Sequence, residues 1–159
     1  MKHPHLAPGV LLSAAALLSA FAPAPALAES TYLRGHQDVT FREYSSLPPE
    51  TQVNNPPSCG LDYTYFDLTR ITAVRDLEHE DCFTVLKVVN PDRPAQPEYV
   101  LAVDRGGHGL DLAREAYTKL GGDDSGLLTA QWEPVDDSFG AHIWRKPRPS
   151  DDEPGNTRP

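Results

Sequence analysis

The chain has 159 residues, with 14 basic and 23 acidic side chains, a net charge of −9 and two cysteines. That length is enough for one domain with a single modest core. The acidic balance excludes nucleic acid and anionic membranes as expected partners, since both are bound through positive patches that release counterions.

The N-terminus reads as an address. Lys2 precedes a short apolar run at 10–21 (VLLSAAALLSAF), and Ala26-Leu27-Ala28 forms a small-x-small cleavage signal before Glu29. The run is too short for a membrane anchor. Residues 1–28 are therefore expected to be a signal peptide, and the mature chain to be secreted, extracellular or periplasmic, with no membrane anchor. Without Lys2, 13 basic residues stand against 23 acidic ones, a balance that suits a neutral glycan or a basic protein partner.

Residues 29–37 read as a flexible lead-in to a domain at 38–144. The segment 38–44 (DVTFREY) alternates as a first strand, with Val39, Phe41 and Tyr44 toward the packing. Four prolines and two asparagines make 45–58 a loop. Tyr63, Tyr65 and Phe66 follow, then a short strand at 71–74 (ITAV) and an acidic, solvated connection at 76–81. The run 83–89 (FTVLKVV) is the clearest strand, β-branched and nearly continuous. A prolyl turn at 90–97 leads to a strand at 99–103. Ala113, Ala116, Tyr117 and Leu120 then line one helical face, with Glu115 and Lys119 paired on the other and Gly121 at the C-cap. A last strand covers 127–132, and 139–144 adds one more. From Arg145 the chain is Pro-rich and charged, so 145–159 is expected to be disordered. Several short strands, long prolyl loops and one helix favour a small closed barrel over a sandwich.

In an exported chain the even cysteine count predicts a Cys59–Cys82 disulfide, contributing roughly 3 kcal/mol through the unfolded state. With no CxxC pair and only scattered histidines, no zinc spacing exists, and neither a metal nor a cofactor is expected. No GxSxG elbow, P-loop or dinucleotide fingerprint is present.

The segment 99–121 (YVLAVDRGGHGLDLAREAYTKLG) carries the densest chemistry. A strand runs into Asp104, Arg105 and two glycines, His108 follows, and Asp111 stands at the mouth of the helix, where it also suits an N-cap. Loops held on rigid elements are where binding and catalytic groups concentrate. Tyr63 and Tyr65 alternate on a segment read as extended and so share one face of a groove. Tyr99, Tyr117, Trp132 and Trp144 offer further rings for stacking on sugars, with Phe66, Tyr117 and Trp132 equally suited to the core.

The same segment resembles rare lipoprotein A and its relatives. In that family an Asp-Arg-Gly turn is followed by an Asp-Leu-Ser helix start and an Ala-rich helix ending in Leu-Gly. Here these read Asp104-Arg105-Gly106, Asp111-Leu112-Ala113 and Leu120-Gly121. Upstream, FDLTRITAV at 66–74 resembles the family's Phe-Asp-x-x-x-Leu-Thr-Ala strand, and Cys59-Gly60 and Cys82 resemble the half-cystines of fungal and bacterial expansin-like domains. The resemblance spans 40–135. It implies a mainly β fold, a six-stranded double-psi β-barrel with one or two short helices. It implies cell-wall polysaccharide, peptidoglycan or a plant or fungal glycan, as partner.

Glycan cleavage needs a proton donor and a second carboxylate flanking the bond. Of the three positions that the resemblance marks as catalytic in lytic transglycosylases, the glutamate is Thr64 here, the histidine is Arg75, and only Asp104 matches. Threonine is no general acid near neutral pH, and arginine stays protonated. The expansin-type aspartate survives as Asp111. His108 and Asp62 are the substitutes at hand, and a histidine near two carboxylates has its charged form favoured. The expectation is thus a monomeric protein that binds or loosens wall polysaccharide through Asp104, Asp111, Tyr63 and Tyr65 without efficient hydrolysis. The alternatives are a lytic enzyme with a rearranged site, and a barrel-based protease inhibitor or host-directed protein with a protein partner.

Overall fold

A computed structural model describes residues 32–149. The expected signal peptide and its cleavage site lie outside the described residues, as does the end of the expected tail. Six strands close into one barrel: β1 (Gly35–Arg42), β2 (Ile71–Val74), β3 (Val85–Val89), β4 (Glu98–Arg105), β5 (Leu110–Ala113) and β6 (Leu128–Val135). Around the barrel their order is β1-β5-β2-β4-β3-β6. The β1–β5 and β2–β4 pairs are parallel, and the other four are antiparallel. This is the closed six-stranded β-barrel expected, with two short helices, α1 (Pro49–Asn54) and α2 (Arg114–Lys119). Among the described residues no helix is long and apolar enough to cross a membrane.

Both faces of the sheet are used, which explains why the strands read as nearly continuous apolar runs. Inward-pointing Val39, Leu86, Val88, Val100, Ala102, Leu110, Leu112 and Ala130 fill the barrel, with Trp132 at one end. Alternate residues, Ile71, Val85, Leu101 and Ala113, point outward and build a second cluster with Tyr44, Tyr63, Phe66, Leu68 and Ile143 from the connecting segments. The disulfide Cys59–Cys82 is formed.

Several elements differ from the sequence expectation. β1 begins at Gly35, because residues 35–39 pair with β6; Leu33 is buried and Trp132 Nε1 donates to Tyr32 O at 2.9 Å. The stretch from 32 to 37 is thus not a flexible lead-in. Within 45–58, α1 forms because Pro49 sits at its first turn with Glu50 beside it, positions that suit a helix N-terminus. Residues 137–143 form a 3-10 segment rather than a strand, since Asp136 caps it by accepting from Ser138 N at 2.9 Å. Only Trp144 bridges, to Phe66. Glu115 bonds to Ser45 rather than pairing with Lys119.

The tail also departs from expectation: residues 145–149 dock. Arg145 N donates to Tyr65 O at 2.8 Å. Lys146 Nζ lies 4.5 Å from the Tyr65 ring centre, and Arg148 lies over Phe83 and Trp144 at 5.6 and 5.7 Å. An absence of apolar residues did not prevent docking, because cations use ring faces where aliphatic groups are lacking.

Two stability outcomes follow. A Cβ on Gly35 would run into the Trp132 indole, so Gly35→Ala should destabilise by about 1–3 kcal/mol in denaturant unfolding. A chain ending at Trp144 should melt roughly 4–10 °C below one ending at Pro149, because it loses cation–ring contacts of about 1–2 kcal/mol in total. Equal melting temperatures would show that the strap contributes nothing.

Candidate functional site

The sheet brings Asp104 and Asp111 to one place through a single irregularity. Thr72 on β2 aligns with Ala102 on β4, but Ala73 aligns with Asp104, so Val103 is an extra residue, a β-bulge. In regular alternation Ala102 and Asp104 would both point into the barrel. The bulge turns Asp104 outward, level with Ala73. Across the other edge of β2, Ala73 aligns with Asp111. The two acids thus flank a small residue on one outer face, with their backbones two strand spacings, about 10 Å, apart.

Asp111 lies inside β5, between inward Leu110 and Leu112. The expected N-cap role is corrected: the helix begins at Arg114 and its cap position is Ala113, with no side-chain cap bond. Both oxygens of Asp111 are engaged by β1. Thr40 Oγ1 donates to Oδ1 at 2.9 Å, and Arg42 Nε lies 3.2 Å from Oδ2. The parallel register that sets Thr40 beside Asp111 and Arg42 beside Ala113 makes both contacts possible. Asp104 Oδ1 accepts from the backbone N–H groups of Ser58 and Arg105, each at 2.9 Å. Next to Ser58, Cys59 N donates to Val103 O at 3.1 Å. The disulfide-tied segment therefore grips both the bulge and the acid it presents.

Tyr44 and Tyr63 close one side, with ring centres 6.0 Å apart, and Arg42 lies 5.9 Å from the Tyr44 ring centre. Burial, reinforced by Asp111, pushes the Tyr44 phenol well above its ordinary range, with Arg42 opposing. Burial and Asp104 push Tyr63 up to about 12. Burial works against the Arg42 charge, but Tyr44, Asp111, Asp104 and Tyr63 outweigh it and raise its pKa. Arg42 is thus the cation of a cluster that holds two carboxylates and two neutral phenols.

The remaining expected residues are less central. His108 is exposed in the glycine turn, and its carbonyl accepts from Gln37 Nε2 at 2.7 Å; its ring bonds to neither acid. Tyr63 and Tyr65 do not share a face. Asp62 caps a 3-10 turn by accepting from Thr64 N at 2.9 Å, which replaces the extended geometry. Tyr63 is therefore buried beside Tyr44, while Tyr65 stays partly exposed under Lys146. The Thr64 hydroxyl bonds to Asp62 and Lys146. Arg75 pairs with Asp76 at 3.5 Å and lies 5.2 Å from the Tyr32 ring centre. Sequence reasoning missed Thr40, Arg42 and Tyr44 as site residues. The signal was the i, i+2 spacing of Thr40 and Arg42 on a strand, which puts both on one face; Tyr44 follows in a 3-10 turn after the strand ends.

No protein-family model matches the chain, and no curated protein matches it. Among solved structures, the apo expansin of Clavibacter michiganensis matches with a TM-score of 0.50 at 24% identity, covering 65% of this chain and 51% of the expansin. A point mutant of that expansin in complex with cellohexaose gives 0.49 at 22% identity, covering 65% and 50%. Cerato-platanin 3 from M. perniciosa gives 0.47 at 15% identity, covering 65% and 97%. The chain spans about half the length of the expansin it matches. The likeness establishes the fold: an expansin-like double-psi β-barrel.

The Tyr44 hydroxyl is buried with no hydrogen-bond partner among the described residues. An unpaired buried hydroxyl is costly, so Tyr44→Phe should raise stability by about 1 kcal/mol, or at least not lower it. A clear loss in urea unfolding would mean that the hydroxyl is satisfied in solution.

Proposed function

We propose that this protein is a secreted, cell-wall-polysaccharide-binding barrel that holds its ligand over the Asp104–Ala73–Asp111 face without hydrolysing it. The observation that supports this most is the clamp on Asp111, whose two oxygens are taken by Thr40 and Arg42. The spacing of the acids does not argue against hydrolysis, since paired carboxylates in glycosidases lie about 5–9.5 Å apart. What is lacking is a proton donor. Asp111 is held in an ion pair, Asp104 Oδ1 accepts two N–H groups, and the two other positions marked by the family resemblance hold Thr64 and Arg75. Losing a general acid or base removes on the order of 10²–10⁴-fold of rate. Binding survives such a loss, because hydroxyl hydrogen bonds and ring contacts carry it. The free oxygen of Asp104, the Arg42 guanidinium and the edge of Tyr63 are the groups available to sugar hydroxyls.

The test is retention of the protein on insoluble cellulose, chitin and peptidoglycan, followed by analysis of soluble products. Asparagine keeps the acceptor oxygen that Ser58 and Arg105 use on Asp104, whereas in Asp111→Asn its NH2 would face the Arg42 N–H and the ion pair would be lost. Asp104→Asn should therefore fold normally, Asp111→Asn should be less stable, and both should bind the preferred polymer roughly tenfold more weakly. No soluble sugar should be released by the wild type. Release of anhydromuropeptides or cello-oligosaccharides, abolished by Asp104→Asn, would make the protein an enzyme. Failure to bind all three polymers would point to a protein ligand.

A further inference from the structure

A second outer face, away from the two acids, breaks the charge character of the chain. Outward positions of β4, β3 and β6 align in one row, Tyr99 level with Lys87 and Lys87 with Glu133, and Arg34, just before β1, continues the row through its contact with Glu133. A second row sets Val89 level with Gln131 and Gln131 with His36. Between the rows lies an open groove of about 400 Å³ lined by Arg34, His36, Lys87, Gln131 and Glu133, with part of Trp132 in its wall. Three basic side chains face one acidic one here, in a chain of net charge −9. Glu133 is 3.2 Å from Arg34, whereas the side chains of Lys87 and His36 make no hydrogen bond or ion pair among the described residues.

The row ends in a flat apolar platform. Phe139, carried on the 3-10 segment Asp137–Ile143, stacks on Tyr99 with ring centres 5.1 Å apart and planes 14° from parallel. Phe139 remains 48% exposed. Farther along the same strands, outward Val85 and Leu101 are covered by connecting segments. At this end the outward groups stay open among the described residues, and the Lys87 ammonium has no partner there.

We infer that this strip, Phe139 and Tyr99 followed by Lys87, Glu133–Arg34 and His36, is a second binding site, for a carboxylate-bearing polysaccharide. Rings that stack on sugar faces suit a glycan, and the unpaired Lys87 ammonium beside them suits an acid substituent on the next sugar. The single acid Glu133 and the Gln131 amide within the strip match hydroxyls and singly charged carboxylates rather than densely charged phosphate or sulfate polymers. Tyr99 lies five residues before Asp104 on β4, roughly 16 Å along the strand, so the strip is separate from the acidic face. The inference shares the polysaccharide reading proposed above but does not need that face to bind.

The experiment is affinity electrophoresis of the full mature chain in gels containing polygalacturonate, its methyl ester, or a sulfated polymer. Polygalacturonate should retard the wild type, and the uncharged ester should not. Lys87→Glu should weaken retardation by roughly three- to tenfold, and Phe139→Ala should also reduce it, while both variants keep wild-type melting temperatures. Asp104→Asn should bind polygalacturonate as the wild type does, and Lys87→Glu should keep any retention on neutral polymers. Equal retardation by polymer and ester, stronger retardation by the sulfated polymer, or no retardation of the wild type would overturn the inference. Loss of polygalacturonate binding in Asp104→Asn with Lys87→Glu unaffected would assign the polymer to the other face. The ester comparison uses only the wild type, so a misfolded variant leaves the test intact.

Discussion

The extra residue at Val103 is the constraint on which the site depends. A strand alternates, and one inserted residue inverts everything after it. Without it Asp104 would lie in the apolar interior of the barrel, where an unpaired carboxylate is costly. With it, Asp104 stands on the outer face beside Asp111. The irregularity is held from outside the barrel: Cys59 N binds Val103 O and Ser58 N binds Asp104, and the disulfide ties this segment to Cys82. On the neighbouring side, Phe83 takes φ 68°, a backbone state that costs a non-glycine residue about 1 kcal/mol or more. Its N–H reaches Ala102 O at 2.8 Å. Both flanks of the bulge are thus fastened.

The fold spends its sheet twice. The interior of the barrel is apolar in the ordinary way, but the outer face is divided. One end is roofed by the segments around Tyr63, Phe66 and Ile143, one flank presents carboxylates and a guanidinium, and another presents cations beside a stacked aromatic pair. A barrel has no free edges to protect, which leaves its outer positions available for binding chemistry. The docked strap 145–149 belongs to the roof. Lys146 and Arg148 cover rings that a reading by composition alone would assign to solvent.

Much of the architecture was legible in the sequence because it rests on local patterns. The β-branched run that became β3, the ITAV strand, the Ala116, Tyr117 and Leu120 packing at α2 and the cysteine pairing all follow from residue types within short windows, although Ala113, expected on that helical face, ends β5 and packs outside the barrel. Asp104 and Asp111 were legible as a pair because a glycine-rich turn joins them. Their environment was not. β5 is only four residues long, squeezed between that turn and α2, and Asp111 in front of a helical pattern looks like a cap. Arg42 looks like the polar half of an alternating strand. Only the parallel pairing of β1 with β5, between segments about 70 positions apart, shows that Arg42 and Thr40 meet Asp111. Local periodicity carries no information about such a pairing. The 3-10 turn at Tyr63–Tyr65 was hidden for a smaller reason: one Asx cap at Asp62 is enough to bend a segment whose aromatic alternation suggests a strand.

The pairing of β1 with both β5 and β6 also sets an order of events. Strands so distant in sequence meet late, because closing a long loop costs entropy before any contact returns it. A chain emerging from its N-terminus carries β1 unpaired until residue 110 has followed, and the ring cannot close until 128–135 arrives. Thr40 and Asp111 can therefore come together only once the chain through β5 is present. The Cys59–Cys82 link, 23 positions apart, spans a segment available much earlier. Oxidation can thus tether the Cys59 segment near β3 before any barrel exists, so that β4 arrives with the groups that will grip its bulge already at hand.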